Sequence, residues 1–502
     1  MARGAGIVFV GIFLARLLGY ILRIVLKHVL GLETFGLLWS SYNVVEIVTF
    51  FCLLGISNAL ARYIAYYKAQ NNPRRVGGFI VMGLSYILPI VLLVMFFMFW
   101  QVDFFADTLF RKPEIKPFLQ VLCFGLLPLT LMYIFAGIFR GFKLMPQMIF
   151  TQQLSRNIFI FLCFGLFALF GLSRSHAVWA MLSGLALTAL VAILLFLRYV
   201  DKAYFSNIEL GGVFPELWSY SWPLVFTTLF GNMSGRVDIF FLTIYESESN
   251  IGVYSAILPL AQFIPVFMQS FISILMPIFA GVFANYEKNA LLTMQQAASK
   301  WIIAFTVPLF LILLVFSDQI LLALLGADTL VGTLPLCIAA IGYFFNAVFG
   351  VFNVILSAAG RTKLALLNTT TYMVVNILFD ILLIPRFGLS GAAMAGSLGM
   401  IAMSFLIVIE NYKLFDLKPV SKQILQILFI GVLAAGASFG FKILFSFHIK
   451  LVSIAAGSFL FILLYFTGLK KIHIFDHNDL AIISAVENKF GKKLTLLRRF
   501  VE

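Results

Sequence analysis

Long apolar runs follow one another along the whole of this 502-residue chain. A run of about 20 apolar residues can cross the hydrocarbon core of a bilayer as a helix. Hydrophobic side chains make up 62% of the residues and charged side chains 11%, and the mean hydropathy is +1.04. A water-soluble chain is nearer to about 45–50% apolar and about 25% charged. These values exclude a large soluble catalytic domain and predict an all-α integral membrane protein.

The apolar runs predict about fourteen transmembrane helices with short connections. They lie at about 6–29, 35–61, 77–100, 117–139, 147–171, 177–199, 218–244, 252–284, 299–325, 331–357, 364–385, 389–410, 423–446 and 450–468. We interpret the first run as a retained span, because Arg16 and Arg23 interrupt it and no small-residue cleavage motif follows. Most lysines and arginines outside the spans fall in loops on one side. The positive-inside rule therefore predicts a multi-pass cell-membrane protein with both termini in the cytoplasm.

The two halves of the chain repeat each other at a nearly constant offset. Gly36 pairs with Gly252, and Gly19 pairs with Gly235. Such a repeat predicts two six-helix lobes of the same orientation, related by an axis along the membrane normal, with two extra C-terminal helices. The alternative is that apolar composition alone creates the matches.

The predicted organisation divides the chain into five parts. They are an N-lobe at 1–200, a cytoplasmic linker at 201–217, a C-lobe at 218–412, spans 13 and 14 within 413–468, and an amphipathic basic tail at 469–502. The formal net charge of +14 favours contact with anionic lipids or an anionic substrate and does not require nucleic acid.

Charged side chains inside the predicted spans are the strongest functional signal, because each costs at least about 2.5–3.5 kcal/mol at the bilayer centre. Arg16 and Arg23 share one face of the first span with Tyr20, and Asn232 and Arg236 form the matching face of the seventh span. A guanidinium group donates paired hydrogen bonds to phosphate and stays charged. We therefore predict a central substrate-binding cavity for a phosphate group, lined by Arg16, Arg23, Arg156, Arg236, Tyr20 and Asn232.

The acids inside the spans, Glu46, Asp238 and Asp380, have two interpretations. They couple transport to H⁺ or Na⁺, or they form structural pairs. In the second case Glu46 pairs with Arg16 or Arg23, and Asp380 pairs with Asn376 one turn earlier.

Cysteine and histidine carry no comparable signal. The four cysteines lie far apart inside apolar runs, and the five histidines lie at span ends or in the tail. The sequence therefore predicts no metal site, no catalytic residue and no cofactor other than a coupled ion.

Several local motifs resemble one transporter family. They are Gly36–Tyr42, its echo Gly252–Ser255, Ala359–Lys363, and Asn376–Leu378 followed by Leu383–Ala393. These motifs resemble the multidrug/oligosaccharidyl-lipid/polysaccharide exporter superfamily, and the similarity is greatest to its polysaccharide-unit flippases. Fourteen spans also favour the saccharide and lipid II branches over the twelve-span drug antiporters.

The resemblance implies a function and a set of partners. It implies a non-enzymatic flippase that moves a polyprenyl-(di)phosphate-linked oligosaccharide from the cytoplasmic to the outer leaflet by alternating access, for polysaccharide or glycan biosynthesis. Candidate partners are the lipid-linked oligosaccharide, anionic lipids and glycan-assembly enzymes in the membrane. Two alternatives remain, a cation-coupled drug or small-molecule antiporter of the same fold and a membrane glycosyltransferase.

Overall fold

The structure, a computed structural model, describes residues 2–169, 171, 173–233, 235–284, 288–445 and 450–474. All secondary structure in these ranges is helical. The predicted all-α membrane fold class is therefore confirmed, while the count of fourteen spans stays a prediction. Most of the predicted amphipathic tail, from residue 475 onward, lies outside the described residues.

Eighteen α-helices make up most of the described chain. They are Ala2–Leu53, Ile56–Ala69, Pro73–Trp100, Lys116–Leu122, Leu126–Gly141, Met145–Ile149, Ser155–Ala168, Arg174–Tyr199, Val213–Met233, Arg236–Tyr245, Glu248–Gln262, Val266–Ala284, Lys288–Val315, Ser317–Leu324, Thr333–Ala358, Thr362–Phe415, Lys422–Leu444 and Lys450–Lys471. Short π-helices at Phe104–Leu109 and Phe150–Leu154, and short 3₁₀-helices at Pro113–Ile115, Cys123–Gly125, Lys202–Phe205 and Ala327–Gly332, connect or interrupt them.

Nine helical segments in the described ranges are long and apolar enough to cross a membrane. Two of them, Pro113–Gly141 and Met145–Ala168, each join several of the short helices. Phe13–Leu53 and Ile56–Ala69, which bend by 45° at their junction, make a tenth candidate when the bent pair is counted as one span. Helix Thr362–Phe415 has 54 residues, which at 1.5 Å per residue is about 80 Å and far exceeds one bilayer core. Gly388 leaves the helical conformation (φ 55°, ψ −128°) and lies between the predicted eleventh and twelfth spans.

The outward faces of these helices are apolar. On helix Pro73–Trp100, Leu93 is 70% exposed and Trp100 is 69% exposed. Exposed apolar surface on this scale is unfavourable in water and is the normal surface of a helix that contacts lipid. Packing, rather than the hydrophobic effect alone, then decides which faces turn inward.

Several predicted spans are broken rather than continuous. Gly55 and Gly235 adopt left-handed backbone conformations (φ 73° and 72°), which split the predicted spans 35–61 and 218–244. The predicted span 252–284 is interrupted after Gln262, and helix Val266–Ala284 follows. Helical periodicity does not report such breaks, because the apolar pattern continues on both sides of them.

The described helices cluster into two compact units. Ile7–Gly252 forms the first unit, and Met1–Gly6 with Val253–Glu502 forms the second. The boundary falls inside helix Glu248–Gln262, whereas the predicted boundary between lobes precedes residue 218. The division into repeated lobes stays a prediction.

Within the first unit, two predicted cytoplasmic segments are tied together. Arg75 pairs with Glu209 (Nε to Oε1, 3.1 Å) and with Glu216 (Nη1 to Oε2, 3.0 Å). The hydroxyl of Tyr67 also donates to Glu216 Oε1 at 2.8 Å. The segment after the second span thereby holds the start of helix Val213–Met233, which precedes Arg236 in the chain.

Two glycines that the repeat pairs in sequence lie at one tight helix crossing of the first unit. A Cβ atom built on Gly36 would overlap the carbonyl oxygen of Glu248, and one built on Gly252 would overlap the carbonyl oxygen of Leu32. Glycine is therefore required because backbone meets backbone at this crossing.

We expect Gly36→Ala to destabilise the first unit by about 1–3 kcal/mol, because the two helices must separate to admit the methyl group. The melting temperature of the detergent-solubilised protein measures the effect. Gly165→Ala is the matched control, since a Cβ at Gly165 has no heavy atom within 4 Å apart from its own helix turn. Equal stability of the two variants would contradict the tight crossing.

Candidate functional site

The carboxylate of Glu46 lies at the centre of a polar cluster in the first unit. Arg236 holds it with a fork of two contacts, Nε to Oε2 at 3.0 Å and Nη2 to Oε1 at 2.9 Å. Arg156 donates from Nη1 to Oε1 at 3.1 Å, and the hydroxyl of Tyr133 donates to the same oxygen at 3.1 Å. Because the four residues come from four different helices, one carboxylate ties these helices together.

A break in the predicted seventh span positions Arg236. Gly235 caps helix Arg236–Tyr245 in the left-handed conformation, so Arg236 is the first residue of a new helix. Its backbone carbonyl accepts a hydrogen bond from Asn43 Nδ2 at 2.8 Å, and its Nη1 donates to the carbonyl of Asn232. The predicted matching face of Asn232 and Arg236 is therefore a contact across this break and not one face of a continuous helix.

A local change of helix type precedes Arg156. The π-helical turn Phe150–Leu154 ends just before helix Ser155–Ala168 begins. A π-turn inserts an extra residue and rotates the side chains that follow it, and such turns are frequent at functional sites. Arg156 Nη1 also donates to the Tyr42 hydroxyl at 3.1 Å. Its Nε and Nη2 make no hydrogen bond to any residue that the structure describes.

The first span brings a further cation to the same cluster. The Arg23 guanidinium carbon lies 4.4 Å from the centre of the Trp39 ring, a cation–π contact. Arg23 is also within electrostatic range of Glu46, Arg156 and Arg236. Arg16 and Tyr20 lie on the same helix, where Arg16 is half-buried and Tyr20 is buried.

The carboxylate at the centre of the cluster is more deeply buried than the guanidinium groups around it. The Glu46 side chain is 6% exposed, whereas those of Arg156 and Arg236 are 22% and 27% exposed. One carboxylate with two guanidinium groups has a net charge of +1. The arrangement can hold an anion, because its positive charge stays accessible while its negative charge is covered.

The ion pairs differ from the predicted ones. The structural-pairing interpretation expected Arg16 or Arg23 as the partner of Glu46, and the structure gives Arg156 and Arg236. Asp380 is buried in the second unit and accepts a hydrogen bond from Asn376 Nδ2 at 3.3 Å, as that interpretation expected. Asp238 is buried in the first unit. Whether these acids couple transport to an ion stays a hypothesis.

Tyr42 and Tyr133 were missed by the sequence analysis. Both stand in apolar runs, where tyrosine is common for packing alone, and Tyr133 lies 87 residues from Glu46 along the chain. Within the described residues, no group of three or more His, Cys, Asp and Glu side chains could hold a metal ion.

The second unit contains a cavity of about 330 Å³. Its walls are mostly apolar and include three methionines, with the uncharged polar side chains of Asn346, Asn353, Ser357 and Ser404. The Oδ1 atom of Asn353 is buried and accepts no hydrogen bond from the described residues.

A multi-pass bundle of broken helices around membrane-embedded charges is the architecture of a membrane transporter. The model of the family described as "Polysaccharide biosynthesis protein" matches residues 1–283, and the MatE family model matches residues 223–382. The chain belongs to the polysaccharide biosynthesis protein family, in the polysaccharide flippase branch of the multidrug/oligosaccharidyl-lipid/polysaccharide exporter superfamily.

Individual proteins of this superfamily are similar to the chain in sequence or in fold. The Haloferax volcanii protein named "Probable low-salt glycan biosynthesis flippase Agl15" is 23% identical over 297 residues, which are 59% of this chain and 61% of that protein. The fold resembles the lipid II flippase MurJ in its inward closed conformation, with a TM-score of 0.72 at 17% identity over 92% of this chain and 98% of that chain. It also resembles an inward-facing multidrug resistance MATE transporter, with a TM-score of 0.66 at 14% identity over 80% and 94% of the two chains. The family and the fold are those of a transporter.

We expect Glu46→Gln to destabilise the protein by about 3–5 kcal/mol, because it leaves two guanidinium groups together without their shared carboxylate. Thermal unfolding in detergent measures the loss. The matched control is Glu33→Gln, which removes an exposed ion pair with Arg174 and should cost at most about 1 kcal/mol. A similar loss in the two variants would show that the Glu46 cluster is not a buried ionic centre.

Proposed function

We propose that this chain moves a polyprenyl-(di)phosphate-linked oligosaccharide from the cytoplasmic to the outer leaflet of the cell membrane by alternating access. The family to which it belongs carries the description "Polysaccharide biosynthesis protein". One similar protein is named as a probable glycan biosynthesis flippase, and another as a lipid II flippase. The observation that carries the proposal is the cluster around Glu46, which presents guanidinium groups and hides its carboxylate.

Phosphate is the part of such a substrate that this cluster suits. Phosphate oxygens accept paired N–H donors, and a guanidinium group offers these in a fixed plane. Among the described contacts, the Nε and Nη2 groups of Arg156 form no hydrogen bond and can donate to a ligand. In a membrane-embedded site such charge-assisted bonds are stronger than at a water-exposed surface.

Glu46 has a positioning role in this proposal. Its carboxylate holds Arg236 in a fork and holds one nitrogen of Arg156, so the two cations stay in place before the substrate arrives. Because one carboxylate cancels only one of the two positive charges, the site keeps its attraction for an anion. The predicted site residues Arg16 and Arg23 extend this positive surface along the first span, whereas the Tyr20 side chain on the same helix is buried.

The uncharged cavity of the second unit has polar groups of the kind that bind a sugar. Carboxamide and hydroxyl groups both donate and accept hydrogen bonds, as sugar hydroxyls do.

Anionic lipids and glycan-assembly enzymes stay predicted partners.

A cation-coupled antiporter is the second candidate. The match of the MatE family model to residues 223–382 and the similarity to a MATE transporter fold favour it. It predicts transport of a lipophilic cation, which the net positive charge around Glu46 opposes. Proteoliposomes offered a fluorescent polyprenyl-diphosphate saccharide and, separately, a lipophilic cation distinguish the two functions.

We expect Arg156→Ala to lower the rate of saccharide-lipid flipping by about tenfold to a hundredfold, because charge-assisted hydrogen bonds to the phosphate contribute about 1.5–3 kcal/mol. Arg16→Ala and Arg236→Ala should also abolish or strongly reduce flipping, and Arg156→Lys should restore it only in part. The rate is measured in proteoliposomes that contain equal amounts of folded protein.

Arg174→Ala is the control for these variants, because Arg174 is an exposed arginine whose only role in the described structure is a surface contact with Glu33 at 3.7 Å. Its flipping rate should equal that of the unmodified protein. If each of the three single variants Arg16→Ala, Arg156→Ala and Arg236→Ala kept full activity, the assignment of phosphate binding to these arginines would be wrong.

We also expect a membrane potential that is negative inside to drive export. A diphosphate of charge −2 that moves outward gains about 4.6 kcal/mol per 100 mV, at about 2.3 kcal/mol for each charge. Proteoliposomes with a clamped potential and no ion gradient test this. If net transport there ignores the potential and follows only a proton or Na⁺ gradient, Arg16 and Arg236 carry compensating charge across the field and the acids drive the cycle.

A further inference from the structure

A second buried glutamate lies in the second unit, far along the chain from the cationic cluster. Glu410 is in the last turns of helix Thr362–Phe415, after the break at Gly388, and Asn368 is near the start of the same helix, before that break. The relative exposure is 9% for Glu410 and 1% for Asn368. Because the chain reverses at the break, the two side chains meet although 42 residues separate them.

Their contact leaves two acceptor atoms without a donor. Asn368 Nδ2 donates to Glu410 Oε2 at 2.7 Å. Glu410 Oε1 and Asn368 Oδ1 are both buried, and neither forms a hydrogen bond within the described part of the chain. A buried acceptor without a donor costs about 1–3 kcal/mol, and an ionised carboxylate costs more.

One proton would satisfy both atoms. A protonated carboxyl group has one O–H donor beside its remaining acceptor capacity. With a proton on Oε1, Glu410 donates to Asn368 Oδ1 while its Oε2 still accepts from Asn368 Nδ2. The two side chains then form the two-bond pair of a carboxylic acid with a carboxamide.

The charged groups near this pair do not offer an ionic alternative. Arg361, Lys363, Lys413 and Asp416 are exposed at the ends of the same helix. Helix Thr333–Ala358, which packs against it, has Cys337 and Tyr343 as its titratable residues, and Gln262 Nε2 donates to the Tyr343 hydroxyl. The described ion pairs of the second unit include none to Glu410, in contrast to Glu46 with its two arginines.

We propose that Glu410 and Asn368 form a proton-binding site. In this conformation Glu410 carries a proton on Oε1, and this O–H group donates a hydrogen bond to Asn368 Oδ1. The proton comes from water and returns to water, so no electrons move. Ile407, one turn before Glu410, lines the 330 Å³ cavity, which is large enough to hold water. If the proposed flippase function is correct, inward release of this proton during the cycle couples an outside-acid gradient to export.

Infrared spectroscopy of the full-length protein in membranes tests the site without any substrate. At pH 7 the unmodified protein should show the C=O band of a protonated carboxylic acid, although a solvated glutamate with a pKa near 4.3 is ionised there. Glu410→Gln should remove that band and keep the fold, because its amide can donate to Asn368 Oδ1 and accept from Nδ2. Glu33→Gln, at an exposed carboxylate, should leave the band unchanged.

Two results would overturn the site: a spectrum of the unmodified protein without the band, or an equal band in Glu410→Gln. The first needs no variant, so a folding defect in Glu410→Gln does not remove the test. Because no substrate is used, failure of the flippase proposal leaves this result standing.

Proteoliposomes then test the coupling. With one proton exchanged for each substrate, a gradient of one pH unit, acidic outside, should change the accumulation ratio of a fluorescent polyprenyl-diphosphate saccharide by about tenfold. Glu410→Gln should lose this response and still respond to membrane potential. A pH response that persists in Glu410→Gln would contradict coupling through Glu410, whereas absence of flipping in every sample would contradict the proposed function instead.

Discussion

The pairing of one buried carboxylate with two arginines organises the first unit. A charged group inside a membrane protein must find an opposite charge or water, because the hydrocarbon offers neither. Glu46 meets this requirement with Arg156 and Arg236, and the contacts draw in Tyr133 and Tyr42. The same contacts that stabilise the helix packing leave a net positive charge at a partly exposed surface. Helix packing and the proposed attraction for an anionic substrate therefore have a common origin in this cluster.

Glycine makes this arrangement possible at two kinds of position. At Gly235 a left-handed residue ends one helix and starts another, which places Arg236 at the beginning of a helix beside Glu46. At Gly36 the absence of a side chain lets two backbones touch. A straight, continuous seventh span would not place Arg236 at the beginning of a helix.

The two buried glutamates show how surroundings set the chemistry of one residue type. Glu46 is surrounded by guanidinium and hydroxyl donors, which favour its ionised form. Glu410 has one carboxamide donor beside an acceptor that itself lacks a donor, which favours the neutral form. The first arrangement suits a fixed charge that positions cations, and the second suits a group that takes up and releases a proton.

The sequence by itself determined the solvent, the fold class and the family. Apolar runs require a bilayer because their length and composition fit no soluble core, and motifs such as Leu383–Ala393 indicated the exporter superfamily. It also singled out Glu46, Arg156 and Arg236, because charges inside spans are costly wherever they fall. Only the tertiary structure decided which of them meet. Glu46 contacts residues 110 and 190 positions away, and helical periodicity specifies which face a residue occupies but not which helix will pack against it.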